Sequence, residues 1–350
     1  MNKVYIVIVN FNNFPDTVEC LESVLKSNYT CYQIFVVDNS LDGLSASEFS
    51  VWAQNDDYKG IKTDFSRLVF PLQDKPVSYK MVLESEFNNT HGVFDEKIIF
   101  IRAKNNGFAA ANNIVLRYIL KKSPDDTLIW LLNNDTVVEK DTLYNFVTCH
   151  NNHLNDKYIF GSKLKYYYKP NSIQAVAGHY NKWLGKHYHI GENEADDGQY
   201  DNYNFGPMDY IVGASVFLPK LFPQQAGLMC EDYFLYFEEM DWVKNGIRHG
   251  YKLALVPDAV VYHKEGASII KVNKDHRDTS VAEYYSITNR VKFIKKWEPL
   301  CLITVLPGVG WAMLKRLLTG KFKLVKRISV SIFYILFFDQ HIISNEKDNL

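Results

Sequence analysis

The sequence is short of the features that assign a protein class most quickly. Its five cysteines, Cys20, Cys31, Cys149, Cys230 and Cys301, show no C-x-x-C spacing, which argues against a zinc knuckle and a disulfide framework and fits a reduced cytosolic setting. Net charge is only -1, so no overall field favours nucleic acid and no nucleic-acid partner is expected. There is no G-x-G-x-x-G, no G-x-x-x-x-G-K-[ST] and no G-x-S-x-G, which weakens dinucleotide, P-loop and serine-hydrolase readings. Repeats, low-complexity tracts and heptad arrays are missing. Long apolar runs are missing too. Val4 to Val9 has only Lys3 ahead of it and breaks at Asn10, too short for a signal-peptide core, so it is expected to be a buried first strand. Pro299 to Leu314 is almost uncharged, but Pro307, Gly308 and Gly310 interrupt it and it is short for a bilayer span.

At 350 residues and 47% hydrophobic composition, the chain can bury a large core as one large or two smaller domains. The runs VYIVIV (Val4 to Val9) and IFVV (Ile34 to Val37) flank a helical stretch, Thr17 to Ser27, in which Val18, Leu21, Val24 and Leu25 recur at helical spacing. That βαβ pattern predicts a parallel sheet. Further strands are expected at Ile98 to Ile101 and Ile129 to Leu132, with a helix from about Ala109 to Leu120 between them. Leu44 to Glu96 reads as an insertion of weak periodicity. Asn151 to Gly206, rich in Tyr, Asn, His and Gly, suits loops and short strands lining a polar cleft. Tyr210 to Leu218 reads as a strand broken by Gly213. A helix follows over Glu238 to His249, stopped by Gly250, and then two short strands, Leu253 to Val256 and Ala259 to Tyr262, about Pro257. At the carboxyl end, Lys315, Arg316, Lys321, Lys323, Lys326 and Arg327 lie between apolar stretches at Pro299 to Leu314 and Val330 to Phe338, a pattern that suits an anionic membrane surface or a helix pair packed on its own domain.

Chemistry concentrates at strand ends. In LLNNDTVV (Leu131 to Val138), Asp135 leaves an apolar strand where ligands of open α/β sheets sit, and its carboxylate suits a hard divalent cation on a diphosphate. Taken alone, Asn-Asn-Asp also suits a plain turn. Asp38, in VVDNS, is placed to accept the ring N–H of a uracil, thymine or guanine, or to cap a helix. YFEEMDW crowds Glu238, Glu239 and Asp241 onto a helix start, where the dipole stabilises acids and flanking aromatics can raise a carboxyl pKa toward that of a general base. His263 ends an apolar strand, and Asn106-Gly107 forms a turn that permits close backbone approach.

In order, VNFNN (Val9 to Asn13), VVDNS, NNGFAAANN (Asn105 to Asn113), LLNNDT, DYIVGASVFLPK (Asp209 to Lys220), DYFLYFEEMDW (Asp232 to Trp242) and GYKLALVPDAVVYHK (Gly250 to Lys264) resemble glycosyltransferase family 2, in particular its bacterial rhamnosyltransferase-like branch. The similarity covers about residues 3 to 290 apart from the insertion.

The resemblance implies a GT-A fold: an α/β architecture with a single Rossmann-like, mostly parallel sheet flanked by helices, and here a C-terminal helical extension. It implies a nucleotide-sugar-binding half over 1–150, an acceptor-binding and catalytic half over 151–298 and an apolar, basic extension over 299–350. The implied activity is inverting transfer of a sugar from a nucleotide-diphosphate donor to a saccharide or lipid-linked glycan, with Mg2+ or Mn2+. Asp135 and His263 match metal positions, and Glu239 matches the base, with Glu238 and Asp241 close enough to compete. Asn10, Asp38, Asn106, Gly107, Asn113, Asn133, Gly213 and Ala214 fall in donor- and substrate-binding motifs. Two departures stand out: Glu238-Glu239 replaces the usual Glu-Asp, and Asn133-Asn134-Asp135 replaces N-P-D. The expected setting is cytoplasmic, peripheral at the inner face of the membrane through 299–338. A sugar nucleotidyltransferase and a catalytically silent glycan-binding subunit are the alternatives.

Overall fold

The computed structural model describes residues 1–40, 43–264 and 280–338. The chain opens with β1 (Val4–Asn10), α1 (Phe14–Leu25) and β2 (Tyr32–Asp38), the expected βαβ unit. Helix α1 starts three residues before the apolar periodicity suggests, because Pro15 sits in its first turn, where its fixed φ suits a helix and its missing N–H is harmless. Next come α2 (Leu44–Gln54), α3 (Ser66–Val69), β3 (Tyr79–Leu83), α4 (Glu84–Asn88), β4 (Ile98–Arg102), α5 (Phe108–Lys122) and β5 (Leu128–Asn133). The second half contains β6 (Thr136–Val138), α6 (Thr142–Asn151), β7 (Tyr158–Tyr166), β8 (Lys169–Ala175), β9 (Ala177–Asn181), β10 (Lys186–Ile190), β11 (Asp209–Tyr210), β12 (Ser215–Pro219), α7 (Leu221–Ala226), α8 (Glu238–Arg248) and β13 (Lys252–His263). The described chain ends with α9 (Ser280–Trp297), α10 (Leu302–Leu318) and α11 (Phe322–Phe337).

One ten-stranded sheet runs β3-β4-β2-β1-β5-β12-β7-β13-β6, with β8 paired to β7. The strands from β3 to β5 are parallel, and β12 inserts antiparallel between β5 and β7. Both faces are covered. Along β1, Val4, Ile6 and Ile8 pack beneath α1, α2 and α6, while Tyr5 and Val7 pack with α5 on the other side. Alternate side chains of a strand leave opposite faces, so burial of both makes the run uniformly apolar.

Several expectations are corrected. Leu44 to Glu96 is more than an insertion, since β3 extends the sheet beside β4 in parallel register, Tyr79 against Ile98 through Leu83 against Arg102. As an edge strand with one buried residue, it leaves little periodic trace. Within the polar middle third, β7 is a nine-residue, largely buried central strand. Its buried Lys163 is neutralised by Asp196 at 2.8 Å and Asp201 at 2.6 Å, so a charged residue lies within the strand and disguises it. Tyr210 to Leu218 divides between two sheets: β11 joins β9 and β10, and β12 joins the main sheet. The two strands expected about Pro257 are one, with a register shift between Val256 and Val260, where an irregular ladder tolerates proline. Helix α10 passes through Pro307 without interruption, with Val305 and Val309 buried in the core that includes Val291 and Ile294 of α9.

Candidate active site

Asp38 and Asn10 end adjacent parallel strands and face each other in register. Asn10 donates to Asp38 Oδ1 at 2.7 Å, and the Ser40 hydroxyl donates to the same oxygen at 2.6 Å. Asn10 is fully buried and both ends of its amide are used: Nδ2 also reaches Ser45 Oγ at 3.1 Å, and Oδ1 accepts from Thr17 at 2.7 Å. Asn10 therefore positions Asp38 instead of facing the cleft. Burial pushes the Asp38 carboxyl up against the opposing pull of these donors.

Asp135 follows β5 and lies beside His263, the last residue of β13. The β13–β6 pairing sets His263 against Thr136, and this brings His263 Nε2 to 3.2 Å from Asp135 Oδ1. Gln174 Oε1 accepts from the other ring nitrogen, Nδ1, at 2.8 Å. Burial alone would raise the Asp135 carboxyl, but the His263 charge and hydrogen bond, with Lys264, hold it below the usual range. Lys264 is fixed by Asp16 at 2.7 Å and by Glu19, while its backbone N–H donates to the Asp135 carbonyl. Asn134 has no view of the site: its Nδ2 donates to Thr17 Oγ1 at 2.9 Å and ties β5 to α1.

The Asp135–His263 pair suits a divalent cation. The two donor atoms lie as close as adjacent ligands with bonds of about 2 Å, and the Gln174 contact orients the imidazole as outer-shell partners of metal-bound histidines do. Among the described residues no cluster of three or more His, Cys, Asp or Glu forms an ion-sized site. Two protein ligands leave the other positions to phosphate oxygens and water, the usual arrangement for Mg2+ on a phosphorylated substrate.

Just before β12, the Ala214 carbonyl accepts from the Asn133 N–H at the end of β5, and Gly213 adjoins Glu239. A Cβ on Gly213 would lie 3.1 Å from Glu239 Cγ, so the glycine makes room for that side chain. Glu238 and Glu239 open α8 directly after Tyr236 and Phe237, whose φ values of +69° and +74° are rare for bulky residues. Such conformations persist where the surroundings over-determine them. Here Asn289 of α9 donates to the carbonyls of Leu235 and Tyr236 at 2.8 and 3.2 Å, and Lys292 donates to that of Asp232 at 2.7 Å. Burial raises both glutamates, and the neighbouring Glu239 charge raises Glu238 further. Glu238 Oε2 is buried without a partner among the described residues, whereas Glu239 is partly exposed. Asp241 is fully engaged elsewhere: Trp297 Nε1 donates to Oδ1 at 2.6 Å, and Lys296 holds Oδ2 at 2.7 Å.

Gly107, at φ +97°, approaches backbone rather than open space, since a Cβ there would fall 2.5 Å from the Phe234 carbonyl oxygen. That oxygen accepts from the Phe108 N–H, which joins the Asn-Gly turn to the loop carrying the acids. Asn106 is exposed. Asn113 is buried, and its amide brackets Met229 through N–H and carbonyl bonds of 3.1 and 2.9 Å. The sequence gives no role to Gln174, Lys264, Asn289 or Lys292: Lys264 closes the motif that carries His263, and no motif marks the other three, because the partners of all four lie far along the chain.

No family model and no curated protein matches the sequence. Solved structures do match. The mannosyltransferase PcManGT from Pyrobaculum calidifontis, in complex with GDP-Man and Mn2+, aligns over 96% of this chain and 87% of that one, at 12% identity and TM-score 0.50. GalNAc-T7 with UDP, GalNAc and Mn2+ aligns over 85% of this chain and 48% of that one, at 13% identity and TM-score 0.53. S. aureus TarS aligns over 83% of this chain and 39% of that one, at 10% identity and TM-score 0.43. The chain thus spans less than half the length of the latter two proteins. With its mostly parallel sheet covered on both faces and its acids at the strand ends, the chain has the GT-A fold.

Proposed function

We propose that the chain is an inverting, metal-dependent family 2 glycosyltransferase. It would move a sugar from a nucleotide-diphosphate donor to a saccharide or lipid-linked glycan during surface polysaccharide synthesis. The observation that carries the reading is the pairing of Asp135 with His263, together with a raised Glu239 that packs on Gly213, whose neighbour Ala214 accepts from the Asn133 N–H two residues before Asp135. Two neighbours of the same fold were solved with nucleotide ligands and Mn2+, which supports a nucleotide-sugar donor and a divalent ion.

Residues 1–150 hold the donor in this reading, with Asp38 on the base ring N–H, and residues 151–298 present the acceptor. Asp135 and His263 would hold Mg2+ or Mn2+, which would supply positive charge against that developing on the leaving diphosphate. Glu239 takes the proton of the attacking hydroxyl as the sugar gains oxocarbenium character, so one carboxylate on the acceptor side suffices. Burial gives it the affinity for that proton. Residues 299–338 hold the enzyme at the inner face of the cell membrane.

A panel of nucleotide-sugars, rhamnosyl donors included, should reveal one that purified protein hydrolyses with a divalent cation, releasing nucleoside diphosphate. Pyrophosphate release would identify a nucleotidyltransferase instead, and no turnover of any donor would favour a silent binding subunit. Asp135→Ala should abolish turnover while keeping the fold. Undiminished activity in that variant, or after exhaustive chelation, rejects the metal role.

A further inference from the structure

Between α9, α11 and the segment before the acid pair lies a cavity of about 470 Å³, distinct from the Asp135–His263 pair. Its wall combines Phe234, Tyr284 and Tyr285 with Lys323, Lys326 and Arg327. Phe234 stacks on Tyr285 with ring centres 5.0 Å apart, and the Arg327 guanidinium lies 4.9 Å from the Tyr284 ring centre. Lys323 and Lys326 are exposed and form no ion pair among the described residues. Asp232 is the one acid on the wall. Three cations of α11, with Lys292 of α9 as a fourth, gathered at an aromatic cavity create a site for a phosphate group carried on an apolar body.

We propose that this cavity holds the phosphate of a lipid-linked acceptor, an inference that rests on the glycosyltransferase reading and specifies its acceptor. A lipid source is favoured over a soluble phosphate by what surrounds the opening. The helix that supplies the three cations also exposes Phe333 and Phe337, at 53% and 69%, and α10 beside it exposes Trp311 at 60%. A phosphate in the basic cavity would leave its hydrocarbon chain on these apolar faces, in the interface of a bilayer. The cavity is also coupled to the chemistry. Its Phe234 carries the carbonyl that binds the Asn-Gly turn, and its Asn289 holds the strained backbone directly before Glu238 and Glu239. A phosphate seated there anchors the acceptor beside the loop that presents the proposed base.

The test uses the full chain and neutral phosphatidylcholine vesicles carrying either a polyprenyl phosphate or an equal charge of phosphatidylglycerol. Wild-type protein should prefer the polyprenyl phosphate. The triple variant Lys323→Gln, Lys326→Gln, Arg327→Gln should bind it about a hundredfold more weakly, given three lost charge contacts. Val330→Trp, which fills the cavity without altering charge, should lose the preference yet retain binding to phosphatidylglycerol. Equal binding of the two lipids by wild type, or an unchanged preference in both variants, overturns the site. Displacement by inorganic phosphate as effective as by the lipid overturns the lipid assignment in favour of a soluble anion. If wild type turns over no donor, the glycosyltransferase reading fails, while the vesicle comparison still decides the cavity.

Discussion

Glu239 and Glu238 are adjacent in sequence and both raised by burial, but they differ in exposure. Glu239 is partly exposed beside Gly213, so in the proposed reaction its raised carboxyl is open to an acceptor hydroxyl. Glu239→Gln should retain donor affinity and lose about 10²- to 10⁴-fold in transfer rate, because the amide keeps the shape but takes no proton. Activity in wild type should fall on acidification at a pH above the ordinary carboxyl range. A dead Glu238→Gln beside an active Glu239→Gln would reverse the assignment. Glu238 is buried, with one oxygen lacking a partner, and its folded-state pKa is well above the unfolded value. A raised pKa contributes stability that is complete below the unfolded value and is lost as pH rises through the folded value. Glu238→Gln should therefore raise the unfolding free energy relative to wild type increasingly from mildly acidic to alkaline pH, by up to about 1–3 kcal/mol, and have little effect near pH 4. Melting curves across that range check the sign. Asp241, committed to Trp297 and Lys296, belongs to the framework.

Among the elements, α9 decides the geometry of a loop it does not adjoin in sequence. Asn289 and Lys292 hold the carbonyls of Leu235, Tyr236 and Asp232, and the Asn-Gly turn braces Phe234 from the opposite side. Gly107→Ala should be destabilising by about 1–3 kcal/mol, since it adds a positive-φ strain to a Cβ clash with Phe234. The displaced loop should lower kcat more than donor affinity, which steady-state kinetics on the folded variant can separate. A proportionate loss in both would place the turn at the nucleotide instead.

For the whole molecule, the carboxyl-terminal helices have two different faces. Val305, Val309, Leu324, Ile328 and Ile335 are buried in the same core as α9, while Trp311, Phe333 and Phe337 remain on the surface. Pro299–Leu318 is the one described helix long and apolar enough to cross a membrane by length and composition, yet part of it packs on the domain. Lys321 pairs with Glu283 and so stabilises the fold instead of offering charge to a surface. Replacing Trp311, Phe333 and Phe337 with serine should leave the melting temperature nearly unchanged and weaken vesicle binding at least about tenfold, since large apolar side chains each contribute on the order of 1 kcal/mol or more. Unchanged co-sedimentation with vesicles would falsify the membrane assignment.

The parallel strands β1, β2, β4 and β5, the helices α1 and α5, the strand-end places of Asp38 and Asp135 and the helix opening at Glu238 were legible in the sequence, because apolar periodicity and strand or helix ends are local patterns. What each polar residue does was decided elsewhere. Asn10 and Asn113 lie in binding-type motifs, but the fold surrounds them with partners that use up their amides. Gly107 matters through a backbone that arrives from Phe234, and His263 meets Asp135 only because β13 pairs with β6. The edge strand β3, the charged central strand β7 and the helix through Pro307 carry no local signature, since neighbours distant in sequence supply the ladder, the counter-ions and the packing that hold them. Periodicity reports which face of an element is buried, whereas the partners that bury it are set by the order in which the sheet brings distant strands together.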